Sequence, residues 1–307
     1  MKPRASAKRT ESSLGELGED RLVQQITRGL PRNSSVVVGP GDDCALVRFG
    51  SEEKLLVLKT DCVVAGVHFT DAAKPAVVGW KAMARALSDF AAMSAVPQTA
   101  LVTLIAPAET STAWVKQLYR GLNKAAAAFD VAIVGGEVSR TRGPTAVSVS
   151  VTGSVETDRW VSRAGGRAGD ELFVTGRLGG SLGGRHLTFT PRIAESRWLT
   201  QTTQVRAMMD LSDGLGADLP RLAAASGVGF ELDEASLPRN RGCTIEQAIS
   251  DGEDYELLFA TAPEDSSSLR QRWRKKFPNL PLTRIGRLVQ KSASRIPASF
   301  HGYVHFR

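Results

Sequence analysis

Residues 77–95, VVGWKAMARALSDFAAMSA, decide the fold class. Trp80, Met83, Ala84, Leu87 and Ala91 recur at helical spacing and form one apolar stripe. Around this helix the pattern changes period repeatedly. Residues 99–105 read as a strand, 111–129 as a second helix, 131–134 as a strand, and 146–155 as a half-buried strand alternating Val with small polar residues. Upstream, 19–30 has helical spacing through Leu22, Val23, Ile26 and Leu30, and 35–38, 45–49 and 55–58 read as strands. Downstream, strands are expected at 172–175, 228–232 and 255–260, with helices at 220–225 and 266–277. This mixture predicts an α/β (α+β) chain, and 307 residues accommodate two domains. The expected division is a tail over 1–16, a first domain over 17–157 and a second over 158–307, with the Gly-rich RAGGRAGD at 163–170 marking the boundary.

Composition narrows the function. Hydrophobic residues make up 42% of the chain and aromatics only 6%, so Ala, Val and Leu must fill the core. The net charge of +7 is scattered, concentrating only at 2–9 and in RQRWRKK at 270–276. Without interleaved aromatics it argues against nucleic acid and suits an anionic small molecule. Cys44, Cys62 and Cys243 form no CxxC and no Cys/His cluster, which fits a reducing, cytoplasmic setting and excludes a zinc motif. No apolar run approaches the roughly 20 residues that span a bilayer, and residues 1–13 lack the apolar stretch of a signal peptide.

The chemistry lies in short acidic motifs. Gly39-Pro-Gly-Asp-Asp43 places two adjacent carboxylates after a turn, an arrangement a cation would relieve. Asp61 ends the strand at 55–58, and Asp89 lies across its helix from Met83 and Leu87. Asp210 and Asp213 sit three apart in DLSDGL, and GEDYE at 252–256 adds three more acids. Each has an ordinary alternative: an Asx turn at 42–43, a structural His68, a solvated Asp89, a helix-capping Asp213. Together, oxygen ligands without His or Cys partners favour Mg²⁺, an ion that usually also holds substrate phosphates. No GxxxxGK[ST] occurs, so a P-loop is absent. Gly179-Gly180-Ser181 is a candidate backbone anion site, and Arg163 and Arg192 are candidate phosphate partners.

The motifs run in a fixed order: GPGDD (39–43), KTDCVVAGVHF (59–69), ALSDFAAMSAVP (86–97), GGEVSR (135–140), SRAGGRAGD (162–170), DLSDGL (210–215), DGEDYELLF (251–259) and GYVHF (302–306). This series resembles the thiamine-monophosphate kinase family, of the aminoimidazole ribonucleotide synthetase-like superfamily, over nearly the whole chain. The resemblance implies ATP-dependent phosphorylation of thiamine monophosphate to thiamine diphosphate by a homodimer whose N-terminal sheets pair. It implies that Asp43, Lys59, Thr60, Asp61, Asp89, Glu137, Asp210 and Asp213 contact several Mg²⁺ ions, with Asp61, Asp89 and Asp213 central to catalysis. It places Tyr119, Gly136, Glu137, Arg163 and Ser212 at ATP, and His68, Glu253 and Tyr303 at the thiamine substrate. It implies neither a nucleic-acid nor a membrane partner.

The chain departs from the family pattern in places. Lys59 stands where Ser or Thr is usual, Glu137-Val138 replaces Asp/Asn-Thr, and Ser94 and Asp251 replace glycines. The segment between Gly184 and Arg192 is shortened. The alternatives are an ATP-using enzyme of the same superfamily with another acceptor, and a nucleotide-binding protein without turnover.

Overall fold

The computed structural model of the chain describes residues 13–294 and 300–303. The tail expected over 1–16 lies largely outside these residues. Where it is described, α1 (Leu14–Leu17) is a single turn closed by a capping box between Ser13 and Glu16, followed by α2 (Glu19–Thr27).

The first sheet contains β1 (Val36–Val38), β2 (Ala45–Arg48), β3 (Lys54–Val64), β4 (Val96–Ala106), β5 (Ala132–Arg140) and β6 (Ala146–Glu156) in the order β1-β2-β3-β6-β4-β5. Only β4 and β5 pair in parallel, and they are joined through a helical crossover as parallel neighbours must be. Helices α3 (Pro75–Ala92) and α4 (Thr112–Ala128) cover one face. Against them lie Val57, Val102, Val147, Val149 and Val151, the alternate residues of three central strands. The other face carries hydroxyls, with Thr60 bonded to Ser148 and Ser150, and Thr99 to Thr152.

The second sheet runs β8-β10-β7-β11-β9, built from β7 (Glu171–Thr175), β8 (Val205–Asp210), β9 (Gly229–Leu232), β10 (Leu257–Thr261) and β11 (Leu282–Val289), all antiparallel. Its two faces are both buried. Phe173, Met208 and Phe259 pack with α5 (Ile193–Thr202) and α8 (Pro263–Lys276), while Leu172, Val174, Met209 and Leu258 pack with α6 (Leu215–Ala225) and α7 (Ile245–Ser250). Strands covered on both sides read as continuous apolar runs, as LLFAT does at β10.

Strand β3 continues to Val64, so Asp61 lies inside the strand and not at its end. Likewise β5 continues to Arg140, and Gly135-Gly136-Glu137 is edge strand. The pairing that extends both strands is long-range and leaves no local signal. Helix α3 has almost no exposed side, because its second face packs on α5 and β8. Ala91 of α3 belongs to the same apolar cluster as Phe173 and Met208.

Two close approaches hold this arrangement. Where α3 crosses α4, a Cβ on Gly79 would meet the Leu118 carbonyl at 2.0 Å, and one on Gly121 the Ala76 carbonyl at 1.8 Å. Only glycine permits that separation. Further along, Arg197 of α5 grips Glu156 with two bonds of 2.7 and 2.8 Å and donates to the Ser94 carbonyl, tying the second domain to the end of β6. Ser94 adopts φ 55°, the left-handed region, and its hydroxyl bonds Thr200 on α5.

Gly121→Val should force the helices apart and lower stability by about 1–3 kcal/mol or more, as overpacking does, read as a fall in Tm. The Arg197 hydrogen bonds hold the Glu156 carboxyl down at about 2, against an ordinary 4.5. A depressed carboxylate stabilises fully above pH 4.5 and loses that contribution as pH falls toward 2. The Tm difference between wild type and Glu156→Gln should therefore be constant above pH 5 and shrink on acidification.

Candidate active site

Four elements carry acids to the junction of the two domains. The turn before β2 brings Asp43, β3 brings Asp61, the last turn of α3 brings Asp89, and the end of β8 brings Asp210. Asp43, Asp89 and Asp210 are 2%, 7% and 3% exposed, and each offers an oxygen within 4.8 Å of the others. Such a group cannot remain fully ionised and unpaired. Burial, with Asp43 beside it, raises Asp210 to about 7. Asp61 goes the other way: Lys59 and Arg85 overcome its burial and hold it low.

Cations line the group. Arg163 lies 2.5 Å from Asp43, Lys59 2.9 Å from Asp89 and Arg85 3.7 Å from Asp61. The Ser88 hydroxyl donates to Asp210 at 2.5 Å, linking α3 to β8. One oxygen stays unsatisfied, for Asp43 Oδ2 is buried without a hydrogen-bond partner. An orphaned carboxylate oxygen in an all-oxygen group is the donor set a hard divalent cation takes, so these residues fit Mg²⁺. Asp42 stands beside the group, accepting the Arg163 backbone N–H, with its carboxyl raised to about 6 by burial and by Asp43.

The other expected ligands fall elsewhere. Asp213 pairs with Arg221 at 2.5 Å, and its carbonyl accepts the Tyr303 N–H. Thr60 lies on the hydroxyl face of the first sheet. Glu137 is exposed on β5 with Ser139 as its partner, and it is outside the acid group among the described residues. Gly136 is required where it stands, since a Cβ would meet the Val102 carbonyl at 1.8 Å. Tyr119 packs half-buried on the first core. Ser212 accepts the Glu253 N–H through its carbonyl.

Three expectations need correction. Asp89 and Asp61 overcome burial to keep Lys59 protonated, and an ammonium has no lone pair, so the Lys59 side chain is not a metal ligand. Arg192 is no free phosphate partner: it grips the buried Glu256 with bonds of 2.7 and 2.6 Å. The Gly179 and Gly180 amides do bind anions, but these are the chain's own Asp254 and Asp251.

A second polar group adjoins the first. Lys81 of α3 is fully buried, with its ammonium 2.6 Å from Glu253, 2.8 Å from His186 and 2.6 Å from the His68 carbonyl. His186 Nδ1 lies 2.7 Å from the same Glu253 oxygen. His186 and Lys81 overcome burial and hold Glu253 down at about 2, whereas burial lowers Lys81 to about 8. Glu253 and Tyr255 both have left-handed backbones, φ 63° and 52°, a strain of roughly 1–3 kcal/mol each. Short bonds to the carbonyls of Ser212 and Leu211 keep them there. The Tyr255 ring stacks on Phe189 at 3.9 Å, and Trp80 donates to the Phe189 carbonyl. Lys81, Arg85 and His186 have no motif of their own. A lysine within an alanine-rich helix reads as solvated until the second domain covers it.

The family models described as AIR synthase related protein match this chain in both parts, the N-terminal domain at residues 41–155 and the C-terminal domain at 183–297. A thiamine-monophosphate kinase from Rhodopirellula baltica is 41% identical, the alignment covering 87% of each chain. The chain belongs to the thiamine-monophosphate kinase family. A thiamine-monophosphate kinase from Aquifex aeolicus is 36% identical, covering 90% of this chain and 93% of its own. Among solved structures, AaThiL complexed with AMPPCP and TMP superposes with a TM-score of 0.82 at 32% identity, over 96% of this chain and 99% of that one. The hydrogenase maturation protein HypE, in its complex with HypF, shares the fold alone, with a TM-score of 0.70 at 16% identity. As a thiamine-monophosphate kinase family member the chain keeps the AIR synthase-like fold throughout. Among the described residues no helix is long and apolar enough to cross a membrane.

The buried Glu256 depends on Arg192, since its side chain is only 3% exposed. Arg192→Met should leave that carboxylate without its main partner and cost about 3 kcal/mol, measured by urea unfolding.

Proposed function

We propose that the chain transfers the γ-phosphoryl group of ATP to thiamine monophosphate, giving thiamine diphosphate and ADP, with Mg²⁺ as the required ion. The observation that carries this reading is the convergence of Asp43, Asp89 and Asp210, from separate elements, into one buried group at the domain junction. Its support is membership of a kinase family whose AaThiL relative is described as complexed with AMPPCP, an ATP analogue, and TMP.

In this reading Asp43, Asp89 and Asp210 would hold Mg²⁺ with Asp61 alongside, and Asp213, Thr60 and Glu137, which stand apart from this group, would contact further ions. Bound Mg²⁺ supplies charge neutralisation between two polyanions. The rest falls to the chain's own groups. Arg163 presents its guanidinium beside Asp43, where a phosphate oxygen would find a second positive partner. Gly136, Glu137, Tyr119 and Ser212 would flank the nucleotide. Glu253, His68 and Tyr303 would face the acceptor, an acid and an aromatic suiting the thiazolium cation. The acceptor phosphate has its second pKa near 6 and is largely ionised at neutral pH, so no side chain need remove a proton. A site rich in aspartate meets that requirement. The exposed Leu58, Leu101, Val134 and Val138 of the first sheet are where a second copy would pair to form the homodimer.

Incubation with ATP, Mg²⁺ and thiamine monophosphate should release ADP and thiamine diphosphate in equal amounts. ADP release only with other phosphate acceptors, or none at high enzyme concentration, would refute the assignment. Asp61→Asn should lower kcat at least 100-fold with Tm little changed.

A further inference from the structure

We infer that Lys59 is a built-in counter-cation which takes the place of one divalent ion in the acid group, so that this chain fills its site with one ion fewer than its carboxylates would otherwise hold. The inference rests on the metal reading of the site. It begins from the geometry. Lys59 and Asp61 are alternate residues of β3 and point to the same side of the sheet. The Lys59 ammonium lies 2.9 Å from Asp89, an aspartate only 7% exposed that is itself a member of the three-acid group. It therefore sits against an oxygen-rich position from which water is largely excluded.

Charge makes the two occupants exclusive. An ammonium and a divalent ion on one carboxylate oxygen would repel each other strongly in a buried site. The remaining acids are not treated alike. Arg163 reaches Asp43 through one oxygen only and leaves Oδ2 buried and unpartnered, which is the side open to an ion. Asp210 has the neutral Ser88 hydroxyl as its partner and, among the described residues, no cation in direct contact. Asp89, by contrast, already has a full positive charge in contact. Arg85 acts in the same sense on Asp61 from 3.7 Å. The site is thus divided, with Asp43, Asp210 and the second oxygen of Asp89 left to exogenous ions and Asp89 Oδ1 facing the protein's own cation.

The test counts ions. Mn²⁺ bound per chain is measured by electron paramagnetic resonance with AMPPCP present, in wild type, Lys59→Thr and Lys59→Arg. Lys59→Thr should bind one more Mn²⁺ than wild type, and Lys59→Arg the same number. Without metal Lys59→Thr should have the lower Tm, and saturating Mn²⁺ should close the gap. Equal, non-zero stoichiometry in wild type and Lys59→Thr would overturn the inference and leave the metal reading standing. No Mn²⁺ bound by either would remove the metal reading and the inference with it. Should Lys59→Thr not fold, wild-type crystals with Mn²⁺ and AMPPCP decide the question by anomalous scattering. An ion bonded to Asp89 Oδ1 with Lys59 turned away overturns the inference, and an intact Lys59–Asp89 pair with no ion on that oxygen supports it.

Discussion

Helix α3 passes between the two domains with Lys81, Ser88 and Asp89 all buried on it, and each finds its partner on another element. A buried charge left alone would cost several kcal/mol. The second domain must therefore deliver Glu253 to Lys81 and Asp210 to Ser88 at the same time. These contacts fix the angle and register of the two sheets, and the Arg197–Glu156 pair braces them from the far side. The site is the seam itself, and it exists only when both halves are docked.

The seam has a consistent electrostatic design. Its acids outnumber what the arginines and lysine neutralise, which drives Asp210 to about 7 and leaves one Asp43 oxygen orphaned. Nearby, Glu253 is held by both Lys81 and His186. One part of the seam thus has carboxylate oxygen without a partner, and in the adjoining part the acid is already paired. The left-handed backbones at 253 and 255 are held by hydrogen bonds to the Ser212 and Leu211 carbonyls, placing Glu253 against Lys81 and the Tyr255 ring against Phe189.

Legibility varied with how local the signal was. The α3 stripe, the Val alternation of β6 and the apolar run of β10 were readable because their periods are set by neighbours in sequence. Helix α5 was not read, because IAESRWLTQT mixes polar and apolar residues around its circumference, nor was β8, whose VRAMMD has no β-branched alternation. The full length of β3 and β5 was also missed, since pairing with β6 and β4 decides it. In the site, Asp43, Asp61, Asp89 and Asp210 were legible as motifs. Lys81, Arg85 and His186 were not, since nothing in their own neighbourhoods distinguishes them from solvated residues.

The sequence by itself determined the family, the layered α/β class and the identity of the acids, because motif order and hydrophobic period are properties of the chain taken one segment at a time. The tertiary structure alone decided what those acids face. Asp89 read as a metal ligand or, equally well, as a solvated residue on its own helix; packing of α3 on β3 gave it Lys59 as a partner, and packing of α3 on the second domain gave the helix its other buried face. Arg192 looked available, and was bound to Glu256 across the fold. Burial and charge pairing depend on residues distant in sequence, which is why composition and spacing named the groups and docking of the two domains assigned them their work.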